Sequence, residues 1–307
     1  MSAGHAQDYP SKPIRMIVPA SAGGPTDTIA RTVAQHMGQT LGQNVVIENI
    51  GGASGTLGTT RVAHAAPDGY TIGIGGWNHY VVNGAVYALP YDLLEDFAPI
   101  SLVASGPLLI ISRKSIPADD LMGLVAWLRA NPNASFGTGG VASPPHVSGL
   151  SLQAMIGTQF QFVPYRGSAP AMQNLIAGQL DVMMDQSMST LPQVRNQTIR
   201  VYAVTAKTRL SAAPDIPTVD EAGLPGLYAS VWHGMWAPRG TPDAIVGKLD
   251  AAVVDTLGDP AVRQRFKELG QEIFPREQLT PAALHAYHRA EIDKWWPIIR
   301  AAGLKPE

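Results

Sequence analysis

The residues Pro19-Ala20-Ser21-Ala22-Gly23-Gly24-Pro25-Thr26-Asp27 leave a β-branched run and enter a strongly periodic helical stretch. Glycine has no side chain to screen its backbone N–H, and the first N–H groups of a helix lack intrahelical acceptors. Such a turn presents clustered donors and a partial positive charge. Ser21, Ala22, Gly23 and Gly24 thus form a candidate anion site. An ordinary strand-to-helix turn, with Thr26 or Asp27 as the helix cap, fits the same residues equally well.

A second group lies near the ends of other predicted strands. Trp77 and His79 sit in Trp77-Asn78-His79-Tyr80 after Gly75-Gly76, His146 opens a helix, and Arg166 follows Pro164-Tyr165. An aromatic wall, imidazole donors and a guanidinium able to grip a carboxylate by two parallel hydrogen bonds suit a small organic acid. The plainer alternative makes Trp77 and Tyr80 core residues and Arg166 a surface residue. Asp185, after the run Asp181 to Met184, is a further ligand-site candidate without an assigned role.

Other chemistries find no support. The glycines at 51, 52, 55 and 58 do not follow the G-x-G-x-x-G dinucleotide spacing, and no G-x-x-x-x-G-K-[ST] loop occurs, so close chain packing is the better reading of them. Ser54 misses the G-x-S-x-G nucleophile spacing by one residue. His285, His288 and Glu291 share a helix and could present a metal, but their charged surroundings suggest a solvated face. No catalytic residue, metal or cofactor is expected.

These groups must be positioned by alternating elements. Strand-like runs at 13–19, 44–48 and 70–74 enclose helices at 28–41, where Ile29, Val33, Met37 and Leu41 repeat every four residues, and at 55–65. The pattern restarts with strands at 108–112, 135–136, 159–164, 181–184 and 200–204. The intervening helices are 119–130, 143–156 and 169–177, the second with Ser143 placed to cap it and Pro144 at its first position. Helices at 242–257, 261–269 and 281–302 follow, and are read as packing on the first unit. This is an α/β chain of two mostly parallel sheets with flanking helices, and ligands of such sheets bind beyond the carboxyl ends of the strands. The expected domains are residues 9–104 with 230–307, and 105–229, joined through linkers at 104–107 and 224–231, with a ligand cleft between them.

Composition agrees with a folded two-domain chain. Of 307 residues, 45% are apolar and 15% charged, and no run is long enough to span a bilayer. A net charge of -2 argues against nucleic acid as the main partner. Cys 0 removes disulfides and thiol chemistry together. Ala3-Gly4-His5-Ala6 before Gln7-Asp8 resembles the end of a secretory signal whose apolar part is missing, pointing to export.

The chain resembles the extracytoplasmic solute receptors of tripartite tricarboxylate transporters, also called Bug proteins. The resemblance is carried by Tyr9-Pro10-Ser11-Lys12-Pro13-Ile14-Arg15, Val18-Pro19 with Ala22-Gly23-Gly24 and Asp27, Val46-Ile47-Glu48-Asn49, and Ala66-Pro67-Asp68-Gly69-Tyr70-Thr71. It continues through Leu89-Pro90-Tyr91-Asp92, Val163-Pro164-Tyr165-Arg166-Gly167 and Ala237-Pro238-Arg239-Gly240-Thr241-Pro242. It implies a two-domain periplasmic binding protein of the Venus-flytrap type (type II) with a hinge. Such a protein would be a monomer that binds a carboxylate and presents it to membrane transporter subunits. The family's carboxylate loops map onto Ser21 to Gly24 with Asp27 and Thr28, and onto the turn containing Thr138, Gly139 and Ser143. Ala20, Trp77 and His233 depart from the family pattern. A vacated aromatic at 20 and an added one at 77 suggest an aromatic diacid such as terephthalate. An adipate-like aliphatic diacid, a sensor role, and an enzyme acting on an organic acid are the alternatives.

Overall fold

The computed structural model describes residues 9–165 and 167–304, so the secretory-signal residues and Arg166 lie outside the described residues. The chain divides into two compact units. The first comprises 9–105 with 232–266 and 273–296, and the second 106–231, 267–272 and 297–304. Thus 267–272 and the end of the chain join the second unit, where the sequence placed them in the first.

In the first unit β1 (Ile14–Val18) runs parallel to β2 (Val45–Asn49) and β3 (Thr71–Gly76). Helix α1 (Pro25–Leu41) connects β1 to β2, and the short α2 (Thr56–Ala63) connects β2 to β3. Ile29, Val33 and Met37 are fully buried on the inner face of α1, while Leu41 at its end is only partly buried. Gly42 ends this helix in the left-handed conformation at φ 64°, where a side chain would be strained. After the one-turn α3 (Asn83–Val86), the chain enters β4 (Phe97–Ser112).

The second unit takes the far end of β4, which is antiparallel to both β7 (Val182–Gln186) and β8 (Arg200–Val204). Beyond β7 come β5 (Ser135–Thr138) and then β6 (Gln161–Pro164), all parallel. Helices α4 (Leu121–Ala130), α5 (Pro144–Ile156), α6 (Ser168–Ile176) and α7 (Ser187–Arg195) join them. Helix α7 went unread because its polar sequence, interrupted by Pro192, has little periodicity. Leu109, Ile111, Leu175, Leu180, Met183 and Val204 form the centre of this core. The return strand β9 (Ser230–Pro238) lies antiparallel to β3 and leads to α8 (Asp243–Gly258), α9 (Pro260–Glu268) and α10 (Pro281–Ala301).

The first expected linker, 104–107, lies inside β4, while the second, 224–231, is loop as far as 229 and enters β9 at Ser230. Gly106 and Pro107 read as loop punctuation, but a Cβ on Gly106 would lie 2.3 Å from the Gln271 amide nitrogen. Glycine here permits a close approach rather than a turn. Ser143 stands at the N-cap of α5 without capping it, because its hydroxyl donates to the Gly140 carbonyl at 2.7 Å. The face of α10 expected in water turns inward: His288 is buried against the Tyr80 carbonyl, and Glu291 accepts from the indoles of Trp232 (3.0 Å) and Trp295 (3.1 Å). Three-residue spacing places both on the buried side of the helix.

Deleting a fully buried methionine leaves a cavity. Met37→Ala is expected to cost about 2–5 kcal/mol in chemical denaturation, and Leu41→Ala, at the partly exposed end of the same face, clearly less.

Candidate functional site

The first turn is exposed at Ser21, Ala22 and Gly23. Helix α1 starts at Gly24 with no side-chain cap, and Pro25 at its first position has no N–H to offer. Two of the expected donors are already used: the Gly23 N–H donates to Asp27 Oδ2 (2.8 Å) and the Gly24 N–H to the Ser21 carbonyl (3.3 Å). Thr28 donates through both its N–H and its hydroxyl to the Gly24 carbonyl. The N–H groups of Ser21, Ala22, Thr26 and Asp27 have no acceptor among the described residues. Donors at the positive end of a helix of 17 residues suit a carboxylate.

Asp27 braces this turn. Its buried carboxylate also accepts from Arg31 Nε (2.8 Å) and Asn49 Nδ2 (2.9 Å). Burial alone would raise its pKa, but these hydrogen bonds and the Arg31 charge hold it below the usual range. Asn49 also donates to the Ala20 carbonyl at 3.2 Å, tying the turn to the end of β2. The sequence reading missed Arg31 and Asn49 as supports. The i,i+4 spacing of Asp27 and Arg31 was the available signal.

Beneath the turn lie the glycines whose spacing had invited a nucleotide reading. A Cβ on Gly55 would sit 2.4 Å from both the Pro19 carbonyl oxygen and His79 Cδ2, and one on Gly58 would sit 2.8 Å from Pro19 Cα. Their role is close packing. His79, expected to face a ligand, is buried in this bed. Its Nδ1 accepts from the Gly76 N–H (3.2 Å) and the ring also bonds the Pro19 carbonyl. The ring is therefore a neutral Nε2–H tautomer that supports the turn. His233 lies 3.2 Å from the Thr26 hydroxyl through Nε2, while its buried Nδ1 has no partner. Burial pushes His79 down to about 4 and, with His79 nearby, His233 down to about 3.

The second unit repeats the device. His146 Nδ1 accepts from the Ala142 N–H at 3.2 Å, holding a residue whose φ is 59°, and its ring packs on Phe162. Burial lowers its pKa. Thr138 is fully buried, its hydroxyl at the Gly140 backbone, and Gly139 lies where a Cβ would approach Ser168 Oγ to 3.2 Å. Asp185 is 1% exposed. Its Oδ2 accepts from Ser189 Oγ (2.7 Å), hydrogen bonds from the Gln186 backbone and the Ser168 side chain also reach the carboxyl, and burial raises its pKa.

Trp77 is 2% exposed and packs edge-on against Trp295 with ring centroids 5.2 Å apart, so it lies in the core of the first unit. Arg166 lies outside the described residues. Among the described residues, no group of three or more histidine, aspartate or glutamate side chains could hold a metal ion.

The chain is thus two α/β units, each with a buried histidine beside a strand-to-helix turn. The comparisons place the chain further. The family model described as the tripartite tricarboxylate transporter family receptor matches residues 29–304, and the chain belongs to that family of solute receptors. It is similar to the periplasmic binding protein BugD (39% identity, TM-score 0.83, 97% of this chain and 100% of that one). MatC from Rhodopseudomonas palustris, solved with bound malate, is 38% identical with a TM-score of 0.82 over 95% of this chain and 100% of that one. A further R. palustris protein, solved with adipate, is 32% identical with a TM-score of 0.85 over 98% of this chain and 100% of that one. Among the described residues, no helix is long and apolar enough to cross a membrane.

Two outcomes are expected. Removing a negative charge beside an anion site should strengthen anion binding by Coulomb attraction alone, but Asp27→Ala also frees the Gly23 N–H and loosens the turn. Calorimetry should show about tenfold weaker carboxylate binding, a loss of about 1.4 kcal/mol; tighter binding would sink the bracing role. Secondly, the unfolded chain takes up protons on histidine near 6.5, while folded His79 and His233 resist until about 4 and about 3. Stability contributed by the neutral rings is thus complete above 6.5 and lost as pH falls toward those values. His233→Gln should flatten the decline in stability measured between neutral pH and pH 4.5.

Proposed function

We propose that this protein is an exported, periplasmic receptor that captures an aliphatic dicarboxylate in the size range of malate to adipate and delivers it to the membrane subunits of a tripartite transporter. The carrying observation is the uncapped start of α1, where the N–H groups of Ser21, Ala22, Thr26 and Asp27 have no acceptor among the described residues while Asp27, Asn49 and His79 hold the surrounding turn. One carboxylate of the ligand belongs there. Receptors of this family solved with malate and adipate support the ligand class.

The aromatic reading, with terephthalate as its example, needs Trp77 to offer a ring face. That ring is buried against Trp295, which favours the aliphatic diacid. The chain's role is binding, so no turnover of the ligand is proposed.

A thermal-shift series with malate, succinate, adipate, terephthalate and hexanoate tests the reading. A diacid at 100 times its dissociation constant stabilises by about 2.7 kcal/mol. The expected order is an aliphatic diacid first, with hexanoate well behind because it lacks the second carboxylate. Preference for terephthalate would restore the aromatic reading, and silence toward every diacid would remove the dicarboxylate assignment.

A further inference from the structure

A basic cavity lies at the opposite end of the first unit's sheet from the ligand turn. Lys12, Arg15, Arg61, His64, Asp68 and Tyr70 line a space of about 540 Å³. They come from the lead-in and start of β1, the end of α2 and the lead-in to β3. Strand β1 runs five residues from this cavity to the turn, about 16 Å at roughly 3.3 Å per residue. The proposed ligand site uses none of these side chains.

The cations are placed mainly by uncharged neighbours. The Lys12 ammonium sits 4.3 Å from the centre of the Tyr70 ring, and the Tyr70 hydroxyl accepts from the Ser11 N–H at 2.9 Å. Arg15 Nη2 donates to Thr71 Oγ1 at 3.2 Å, and its ion-pair contact with Glu48 is long, at 4.0 Å. Among the described residues no carboxylate comes within ion-pair distance of Lys12, Arg61 or His64. Asp68, the acid in the wall, accepts from the Tyr70 N–H at 3.0 Å. Three permanent cations thus face one carboxylate in the wall and Glu48 beside Arg15, on a chain whose net charge is -2.

Exposure decides what such a cavity can hold. Lys12, Arg15, Arg61 and His64 are all exposed, so water and salt screen their hold on a single small anion. Several screened contacts made together still speed and orient the approach of an oppositely charged protein surface. The walls belong wholly to residues 12–71 of one unit, and none of their side chains is among those proposed to hold the ligand.

We infer that this cavity is a ligand-independent docking site for an acidic segment of the membrane subunits of the receptor's transporter. The inference rests on the transport role proposed above. Its test uses the whole receptor and its cognate membrane subunits in nanodiscs, with association followed by surface plasmon resonance at low and high salt. A variant carrying Lys12→Glu and Arg61→Glu should associate at least about tenfold more slowly at low salt, and one carrying Lys12→Gln and Arg61→Gln should fall between it and the native protein. Both should keep the native melting temperature and adipate affinity, and native docking should be equal with and without adipate.

Unchanged association in the glutamate variant would overturn the inference, as would docking that requires adipate. Tight, saturable binding of pyrophosphate to the receptor alone, lost in the variant while docking persists, would make the cavity a small-anion site and overturn it too. A native receptor that binds no dicarboxylate yet docks in this charge-dependent way would fail the ligand assignment and leave the docking site standing.

Discussion

Backbone N–H groups left open at the start of α1 are the feature around which the first unit is arranged. A helix start ordinarily satisfies its donors with a side chain of its own, but here Gly24 has none and Asp27 reaches backward to Gly23. Unpaired donors are tolerable where a ligand or water completes them, and costly where they are buried without a partner. The turn must therefore be rigid and exposed together. Its rigidity comes from Asp27, Asn49 and the packing bed, and its exposure from a run of small residues.

The bed shows why the residues below the turn are glycine or neutral histidine. Pro19 approaches Gly55 and Gly58 so closely that a single methyl at either would strike backbone. A charged group placed under the turn would add its field to that of the helix dipole and pay a desolvation cost. His79 and His233 instead meet backbone and hydroxyl partners as neutral rings, kept neutral by burial itself. The same arrangement holds in the second unit, where His146 bonds the strained Ala142. Two separate stretches of sequence thus use a buried imidazole that accepts from a backbone N–H three or four residues before it.

The two ends of the β1–β3 sheet differ in chemistry. The carboxyl ends carry backbone donors of fixed geometry, suited to recognising a small anion by shape and hydrogen bonding. The amino ends carry long exposed cations, suited to weaker recognition of a larger acidic surface. Those cations need no burial, because orientation and encounter rate require less from each contact than small-ligand affinity does.

Periodicity and turn chemistry made much of this legible in the sequence. The four-residue repeat from Ile29 to Met37 announces the buried face of α1, and strand–helix alternation announces two α/β units. The glycines at 23 and 24 announce a tight turn at a helix start. These are local properties, written in neighbouring residues. What tertiary structure decided depends on distant partners. That His79 supports the turn rather than facing a ligand follows from its meeting Gly76 and Pro19. Burial of Trp77 follows from Trp295, more than two hundred residues away, and Gly106 and Pro107 lie within a strand rather than a linker, with Gln271 closing on Gly106. Sequence spacing shows which groups can meet along one element, but only the packed chain determines which nitrogen of a histidine is used and which face of a ring stays open.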